Sequence, residues 1–502
     1  VSDRDREIQL DVSVPDSEPV APDATAGVAR DAGLAVGARI AAMACTTITT
    51  FVVAGMLSKS EYGAYAIVFG IQVLLVMALD LGLTSSLARY VAQGRSTTRL
   101  VVAIGVLRLA IIGVAALALL VAPTTPWLED SRSLVVTLLP VLAALVVAQS
   151  LVAYFFGLLP SLRRIRLLLL VTVAQPAVEL GLILLARSRG GDVEEVVLAT
   201  VAAGFAVSAI AWVLLLAPGR AAARDVPDLG SAQHATVRMV AEYGRRIFVV
   251  SLLLAVFGQV DQFVIGWFHP LSEVAPYALA LKVQAMLAAP AIVVAGIVAP
   301  RIAGAGAAGL ELYRQWLAFV TVVTVGAVLT ICVLSPQLFG AFDPAYAQDW
   351  PIVVGMSAFL VLSAVAPLPT IALNQTGHAR ERLPIAGVTV AVNVVLDLAL
   401  VPWLGAWGAV ISTTIAFAYY LARHHALAER ELGAVATPGA MSIRGTLARG
   451  AAMAVLAAAV AALMRLLLDA TVGDPADFLV LVVAGGAAAA VHVAWSLRLL
   501  RP

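Results

Sequence analysis

Apolar runs of about 20 residues follow one another along the chain from residue 35 to residue 497, separated by short polar stretches. Runs of that length cross the roughly 30 Å hydrocarbon core of a bilayer as helices. They predict fourteen membrane helices, at 35–57, 63–83, 100–122, 134–157, 167–187, 194–217, 247–268, 274–299, 315–335, 351–372, 384–402, 406–424, 450–469 and 477–497. The connections are short, and no soluble domain is inserted between them. One stretch repeats inside this pattern. SEYGAYAIVFGIQ at 60–72 returns as SEVAPYALALKVQ at 272–284, laying Ser60 on Ser272, Glu61 on Glu273, Tyr65 on Tyr277, Ala66 on Ala278 and Gln72 on Gln284 without gaps. Each copy reads as a turn between two helices, with the serine as N-cap and the glutamate at the positive end of the helix dipole. Six helices separate the copies, so the repeat is parallel, about an axis along the membrane normal, and a binding site belongs between the halves. The fold class expected is all-α, a polytopic membrane protein of two pseudo-symmetric six-helix lobes plus a C-terminal helix pair.

Composition agrees with the pattern. Of 502 residues, 61% are hydrophobic and 13% charged, with a mean hydropathy of +0.97, more apolar surface than a soluble domain can hide. The expected organisation is a tail over 1–34, a first lobe over 35–217 (helices 1–6), and an inter-lobe loop over 218–246. A second lobe over 247–424 (helices 7–12), a loop over 425–449 and the last two helices with a tail over 450–502 complete it. The tail is acidic, contains Pro15, Pro19 and Pro22, and has neither the basic start nor the apolar core of a signal peptide. It reads as disordered.

The net charge of +1 is uninformative, but its placement is not. Twenty-one arginines fall in one set of alternate loops, against Lys59, Arg132, Arg187 and Arg189 in the other set, which is otherwise acidic. Basic loops stay in the cytosol, which puts both termini there. Charges inside the apolar runs must be paired or wet. These are Arg39, Asp80, Arg108, Glu179, Asp261, Lys282, Asp397 and Arg465. Arg39 and Asp80 fall near the cytosolic end and Arg465 near the outer end, where snorkelling or capping accounts for them. Arg108, Glu179, Asp261, Lys282 and Asp397 lie deeper and are the candidates for facing a cavity. At about 1.5 Å per residue, Asp261 and Lys282 come to about 21 and 18 Å above the cytosolic boundary. A bridge between them, structural or opened by substrate, is therefore expected. Cys45 and Cys332 sit in apolar runs and support no disulfide framework, and the six histidines form no metal-ligand pattern. No catalytic constellation, metal site or cofactor motif is visible, and nothing points to nucleic acid.

The run MLSKSEYGAYAIVFGIQVLLVMALDLGLTSSLARYVAQG is similar to the first hairpin of the polysaccharide-biosynthesis (O-antigen, Wzx-type) flippases. Glu61, Tyr62, Gly63, Tyr65, Asp80 and Gly82 hold that hairpin's turn, Tyr-Gly-x-Tyr and Asp-x-Gly positions. FGQVDQFVIGWFHPLSEVAPYALALK resembles the family's helix 7–8 hairpin, with Asp261, Tyr277 and Lys282 at its polar positions. LFGAFDPAYAQDW resembles the outer loop before helix 10, and VPWLGAWGAVIST the turn between helices 11 and 12. One departure is Val274-Ala275-Pro276, where a Gly-Leu-Tyr-type start of helix 8 is usual. The likeness touches most of residues 35–424.

That resemblance, to a branch of the multidrug/oligosaccharidyl-lipid/polysaccharide exporter superfamily, implies a MATE-like architecture and a flippase rather than an enzyme. The substrate implied is a polyprenyl-(di)phosphate-linked glycan in the bacterial cytoplasmic membrane, with membrane lipids and a coupling proton or sodium ion as further partners. Arg108, Lys282 and Arg39 would then face the phosphates. Asp261, Glu179, Asp80 and Asp397 would serve coupling or ion pairing. A cation-coupled drug antiporter of the same fold and an integral-membrane polymerase stand as alternatives. Outer loops no longer than about 15 residues count against the polymerase.

Overall fold

The computed structural model describes residues 22–84, 87, 98–121, 133–160, 162, 164–216, 233–433, 455, 458–466, 480 and 483–488, and within these it contains helices and no strand. Among the described residues between 22 and 433 twelve main helical units follow one another, the short helix Ser133–Thr137 leading into the fourth. The first six are α1 (Pro22–Ala54), α2 (Lys59–Asp80), α3 (Thr98–Val121), α4 (Leu139–Leu158), α5 (Ile165–Ser188) and α6 (Val193–Leu216). The second six are α7 (Gln233–Phe268), α8 (Leu271–Gly304), α9 (Gly309–Phe342), the broken span α10 (Pro351–Gly355, Ser357–Val365 and Pro367–Gln375), α11 (Arg382–Leu404) and α12 (Ala406–Gly433). Among the described residues ten helices are long and apolar enough to cross a membrane, and α7 adds the shorter apolar stretch Leu252–Phe268. The chain is a multi-pass membrane protein. The two C-terminal runs lie largely outside the described residues. What is described of them, including Ala461, Val480, Ala484 and Ala488, packs on Leu334 of α9.

The parallel repeat is visible in which helices touch. In the first lobe α1 packs on α5, α2 on α4, α3 on α4, α4 on α6 and α5 on α6. Each pairing recurs six helices later: α7 on α11, α8 on α10, α9 on α10, α10 on α12 and α11 on α12.

The lobes meet mainly where α2 lies against α7 and α8. The specific contacts cluster at one end, the acidic end that carries the α1–α2 turn. Lys59 Nζ reaches Asp349 Oδ2 at 2.7 Å across the lobes and lies 5.5 Å from the Tyr346 ring centre. Tyr62 meets Tyr346 edge-on at 6.4 Å, and Phe51 stacks on Phe342 at 4.5 Å. Gly63 lets α2 approach the start of α8 so closely that a Cβ there would stand 1.9 Å from the Leu271 carbonyl oxygen. Only glycine permits that approach. Trp267, Trp350, Trp403 and Trp407 are all exposed at this same end, the disposition of an interfacial aromatic belt.

Several expected boundaries move. α1 begins at Pro22 rather than 35, because proline at the first helical position needs no donor and the alanine-rich residues after it continue the helix. α7 starts at Gln233, inside the expected 218–246 loop, and α12 runs on to Gly433, inside the expected 425–449 loop. The N-cap of α2 is Ser58, not Ser60: Ser58 N donates to Glu61 Oε2 at 2.8 Å and Glu61 N to Ser58 Oγ at 3.3 Å, a capping box. α8 is capped by Pro270, which leaves Ser272 inside the first turn.

Candidate functional site

Between the lobes lies a cavity of about 470 Å³. α2 forms its first-lobe wall, and α7, α8, α10 and α12 form the rest. Tyr65, Gln259, Gln262, Gln284, Asp261 and Lys282 supply most of its polar lining. α10 breaks at Met356 and at Ala366 ahead of Pro367 and Pro369, and Ser363 and Pro367 of the broken segment face the cavity. Proline cannot donate to the preceding turn, so the span steps rather than continues.

From the cavity wall, where Asp261 and Thr413 stand, a buried polar cluster runs back into the second lobe. Asp261 of α7 accepts from Thr413 Oγ1 at 2.6 Å, from Asn393 Nδ2 at 3.1 Å and from the Tyr277 hydroxyl. Asp397 accepts from the Ser412 hydroxyl and stands within reach of Asp261. Asn393 and Asp397 are one turn apart on α11, hence on one face. Adjacent Ser412 and Thr413 on α12 divide between the two carboxylates. The turn before α12 lets it press on α11: Gly405 has φ +55°, and a Cβ on Gly408 would stand 2.6 Å from the Leu400 carbonyl carbon. Asp397 and Asn393 are 0% exposed and Asp261 4%. Among the described residues Asn393 Oδ1 and Asp397 Oδ2 have no hydrogen-bond partner, and no base bonds either carboxylate. Two buried carboxylates with spare acceptor oxygens and no bonded base among the described residues have the chemistry to hold a proton or a small hard cation.

The expected Asp261–Lys282 bridge is not formed. Tyr277, Asn393 and Thr413 occupy Asp261, while the carboxylate in electrostatic reach of Lys282 is Glu179 of α5. Height along the membrane ignores rotation: Lys282 is five residues beyond Tyr277, about 140° further round α8. Glu179 itself accepts from Thr200 Oγ1 of α6 at 2.9 Å and lies near Tyr65. Lys282 and Asp261 therefore line the cavity, with Glu179 opposing Lys282 from the first lobe.

Arg108 does not line this cavity. It is 3% exposed within the first lobe, its Nε 2.9 Å from Asp80 Oδ1 and its guanidinium 5.6 Å from the Tyr154 ring centre. The Nε approach to Asp80 is out of line for a hydrogen bond, and among the described residues Nη1 has no partner either. Asp80 also accepts from the Thr84 hydroxyl. Arg39 is exposed on α1 outside the lining residues. Arg465 reaches the Val333 carbonyl at 3.4 Å, tying helix 13 to α9.

Tyr277 was legible as a polar position, whereas Asn393, Ser412 and Thr413 were missed. The signal that could have found them is the one-turn Asn-Asp pair inside the apolar run of α11. The histidines do contribute one group the spacing did not suggest. His378, Glu381 and Glu431 bring ligand atoms within 4.8 Å of one another where the α10–α11 connection folds back on α12. Arg430 already bridges the two glutamates, at 2.9 and 2.6 Å, so their charge is met within the chain.

Comparison with known proteins places this geometry. An inward-closed structure of the lipid II flippase MurJ superposes with a TM-score of 0.66 at 13% identity, covering 94% of this chain and 99% of that one. An inward-facing multidrug resistance MATE transporter of the MOP superfamily gives 0.63 at 15% identity, over 79% and 94%. A MOP superfamily transporter from Pyrococcus furiosus, described as having a binding pocket of reversed polarity, gives 0.59 at 15% identity, over 81% and 96%. At these identities the likeness establishes the fold, a MATE-like two-lobed bundle. No curated protein matches the chain by sequence. A profile of polysaccharide biosynthesis proteins matches residues 28–304, more than half of the chain, and the protein belongs to that family.

Proposed function

We propose that the protein is a flippase that carries a lipid-linked oligosaccharide or polysaccharide precursor across the bacterial cytoplasmic membrane by alternating access between its lobes. The observation that carries this reading is the inter-lobe cavity with Lys282 and Asp261 on its wall and Asp397 buried behind Asp261. Dragging a sugar diphosphate through hydrocarbon is prohibitive, whereas a wet cleft keeps it solvated. Lys282 offers the phosphate a cation once Glu179 is displaced, and Gln259, Gln262 and Gln284 offer sugar hydroxyls both donors and acceptors. The polyprenyl tail stays in lipid.

The distribution of basic loops supports a cytosolic placement of the end opposite the α1–α2 turn and of both termini. The lobe contacts described above sit at the other, outer end, which supports a conformation open to cytosolic cargo. Asp261 belongs both to the cavity lining and to the buried cluster, so a proton or sodium ion bound there alters the charge that the cargo meets. No bond is made or broken in this cycle. The same carboxylates suit a cation-coupled drug antiporter, which is the competing reading.

The test is reconstitution of the full chain in liposomes with a polyprenyl-diphosphate glycan bearing a fluorescent sugar, read by quenching with a membrane-impermeant reductant. Wild type equalises the label between leaflets, and Lys282→Gln loses most of that rate. Transport of a cationic dye with no movement of the glycan would establish the antiporter instead.

A further inference from the structure

A second hollow, of about 220 Å³, opens at the acidic end of the second lobe, apart from the central cavity. Glu273 and Pro276 from the start of α8, Gln348 and Asp349 from the α9–α10 connection and Trp407 from the start of α12 form its walls. We propose that this hollow is a saccharide-binding subsite that takes a neutral, hydroxyl-rich sugar ring on the outer side of the membrane; its biological sense rests on the glycan reading above.

The lining has the chemistry for it. The Glu273 and Asp349 carboxylates accept hydroxyl protons, the Gln348 amide both donates and accepts, and the Trp407 indole presents an apolar face to a sugar's C–H surface. The lining carries two acids and no base, and although Lys59 meets Asp349 from beside the hollow, the balance stays acidic and favours a neutral sugar over a diphosphate. The walls are also fixed in advance. A Cβ on Gly355 would stand 2.4 Å from the Trp407 ring, so the indole is seated on α10. The Glu273 carboxylate leans over Gly405, where a Cβ would come within 2.5 Å, and lies 3.5 Å from His269 Nδ1. His269 is itself held by a 2.8 Å hydrogen bond from Nε2 to the Val401 carbonyl.

Depth supplies the third argument. Trp407 shares its level with exposed Trp267 and Trp403, so the hollow opens where headgroups lie. A glycan whose lipid tail has reached the outer leaflet presents its sugars at that level. Asp349 serves both this hollow and the contact with Lys59, so a bound sugar competes with the closure of the outer end.

Saturation-transfer NMR on the full chain in lipid nanodiscs tests this, with glucose, galactose and N-acetylglucosamine as probes and choline as the cation control. At least one of the sugars is expected to receive saturation. Glu273→Gln weakens that binding about tenfold, and Trp407→Ala abolishes it while Trp407→Phe retains part of it. Gly113→Ala, with nothing within 4 Å of the added Cβ, leaves it unchanged, and because the readout is equilibrium binding the result is independent of whether the glycan is flipped. The proposal is overturned if no sugar binds the wild type or if sugar binding survives both Glu273→Gln and Trp407→Ala. It is equally overturned if choline binds in place of the sugars and is lost with Glu273→Gln.

Discussion

Gly63→Ala puts the outer closure to a direct test. A Cβ at this position would lie 1.9 Å from the Leu271 carbonyl oxygen and 2.7 Å from its carbon. Ordinary contact begins at 3.4 Å, so α2 and the start of α8 must separate by about 1.5 Å. The atoms to be displaced are backbone at the first residue of a helix, which has no rotamer to yield. Overpacking of this kind costs about 1–3 kcal/mol. Charged against the closed state alone, that amount shifts the closed-to-open ratio by about 5–150-fold. Spin labels on Ser60→Cys and Ala347→Cys, both exposed, read the outer gap by pulsed electron resonance once Cys45 and Cys332 have been replaced. Gly63→Ala moves the distance distribution toward longer values. Gly113→Ala, with nothing within 4 Å of the added Cβ, serves as the control and leaves it in place. A Gly63→Ala distribution that superimposes on the parent would refute the reasoning.

Four further outcomes are expected. Lys59→Gln opens the outer end much less than Gly63→Ala, because a bridge with side chains 29% and 24% exposed is worth about 0–1 kcal/mol; the same label pair measures it. Asp261→Asn and Asp397→Asn each abolish the dependence of glycan movement on the sodium or proton gradient, and an unchanged dependence in both would remove the cluster from coupling. Arg108→Met lowers the thermal midpoint sharply, since it strands Asp80, while Arg108→Met with Asp80→Asn recovers most of the loss, the outcome a double-mutant cycle of about 3–5 kcal/mol predicts. The hydrogen bond from Arg314 Nε to Glu429 at 2.8 Å holds the Glu429 carboxyl below its ordinary value of 4.5. A depressed carboxyl contributes stability above its unfolded pKa and loses it as pH falls through the folded one. Glu429→Gln should therefore flatten the acid side of the midpoint–pH curve below about pH 4.5, by less than about 1 kcal/mol at this exposed site.

The apolar runs made most of the fold legible, because a helix that is apolar all round has no place but lipid or a buried core. α2, α5 and α6 start and stop within a few residues of expectation. The repeat read from Ser60 and Ser272 reappears as the same helix pairings in both lobes. What the sequence could not show was rotation about each helix axis. Arg108 and Lys282 look equivalent as buried bases, yet one faces Asp80 inside a lobe and the other faces the gap. Asp261 and Asp397, 136 positions apart, meet only because α7 packs on α11. The break of α10 at Ala366 had its cause in plain view at Pro367 and Pro369, but an apolar run hides a step as readily as a bend.

The matching helix pairings make one difference between the halves consequential. In the ungapped register that lays Ser60 on Ser272, Tyr277 falls on Tyr65 and Asp261 falls on Thr49. Thr49 is buried and its hydroxyl finds no partner, so the first half keeps a neutral alcohol where the second keeps an acid. The paired carboxylates of the second half thus have no acidic counterpart at this position of the first, whose own acids inside apolar runs, Asp80 and Glu179, stand elsewhere on α2 and α5. The two halves share one scaffold but not one charge pattern, so whatever enters the gap between them meets different groups on its two sides.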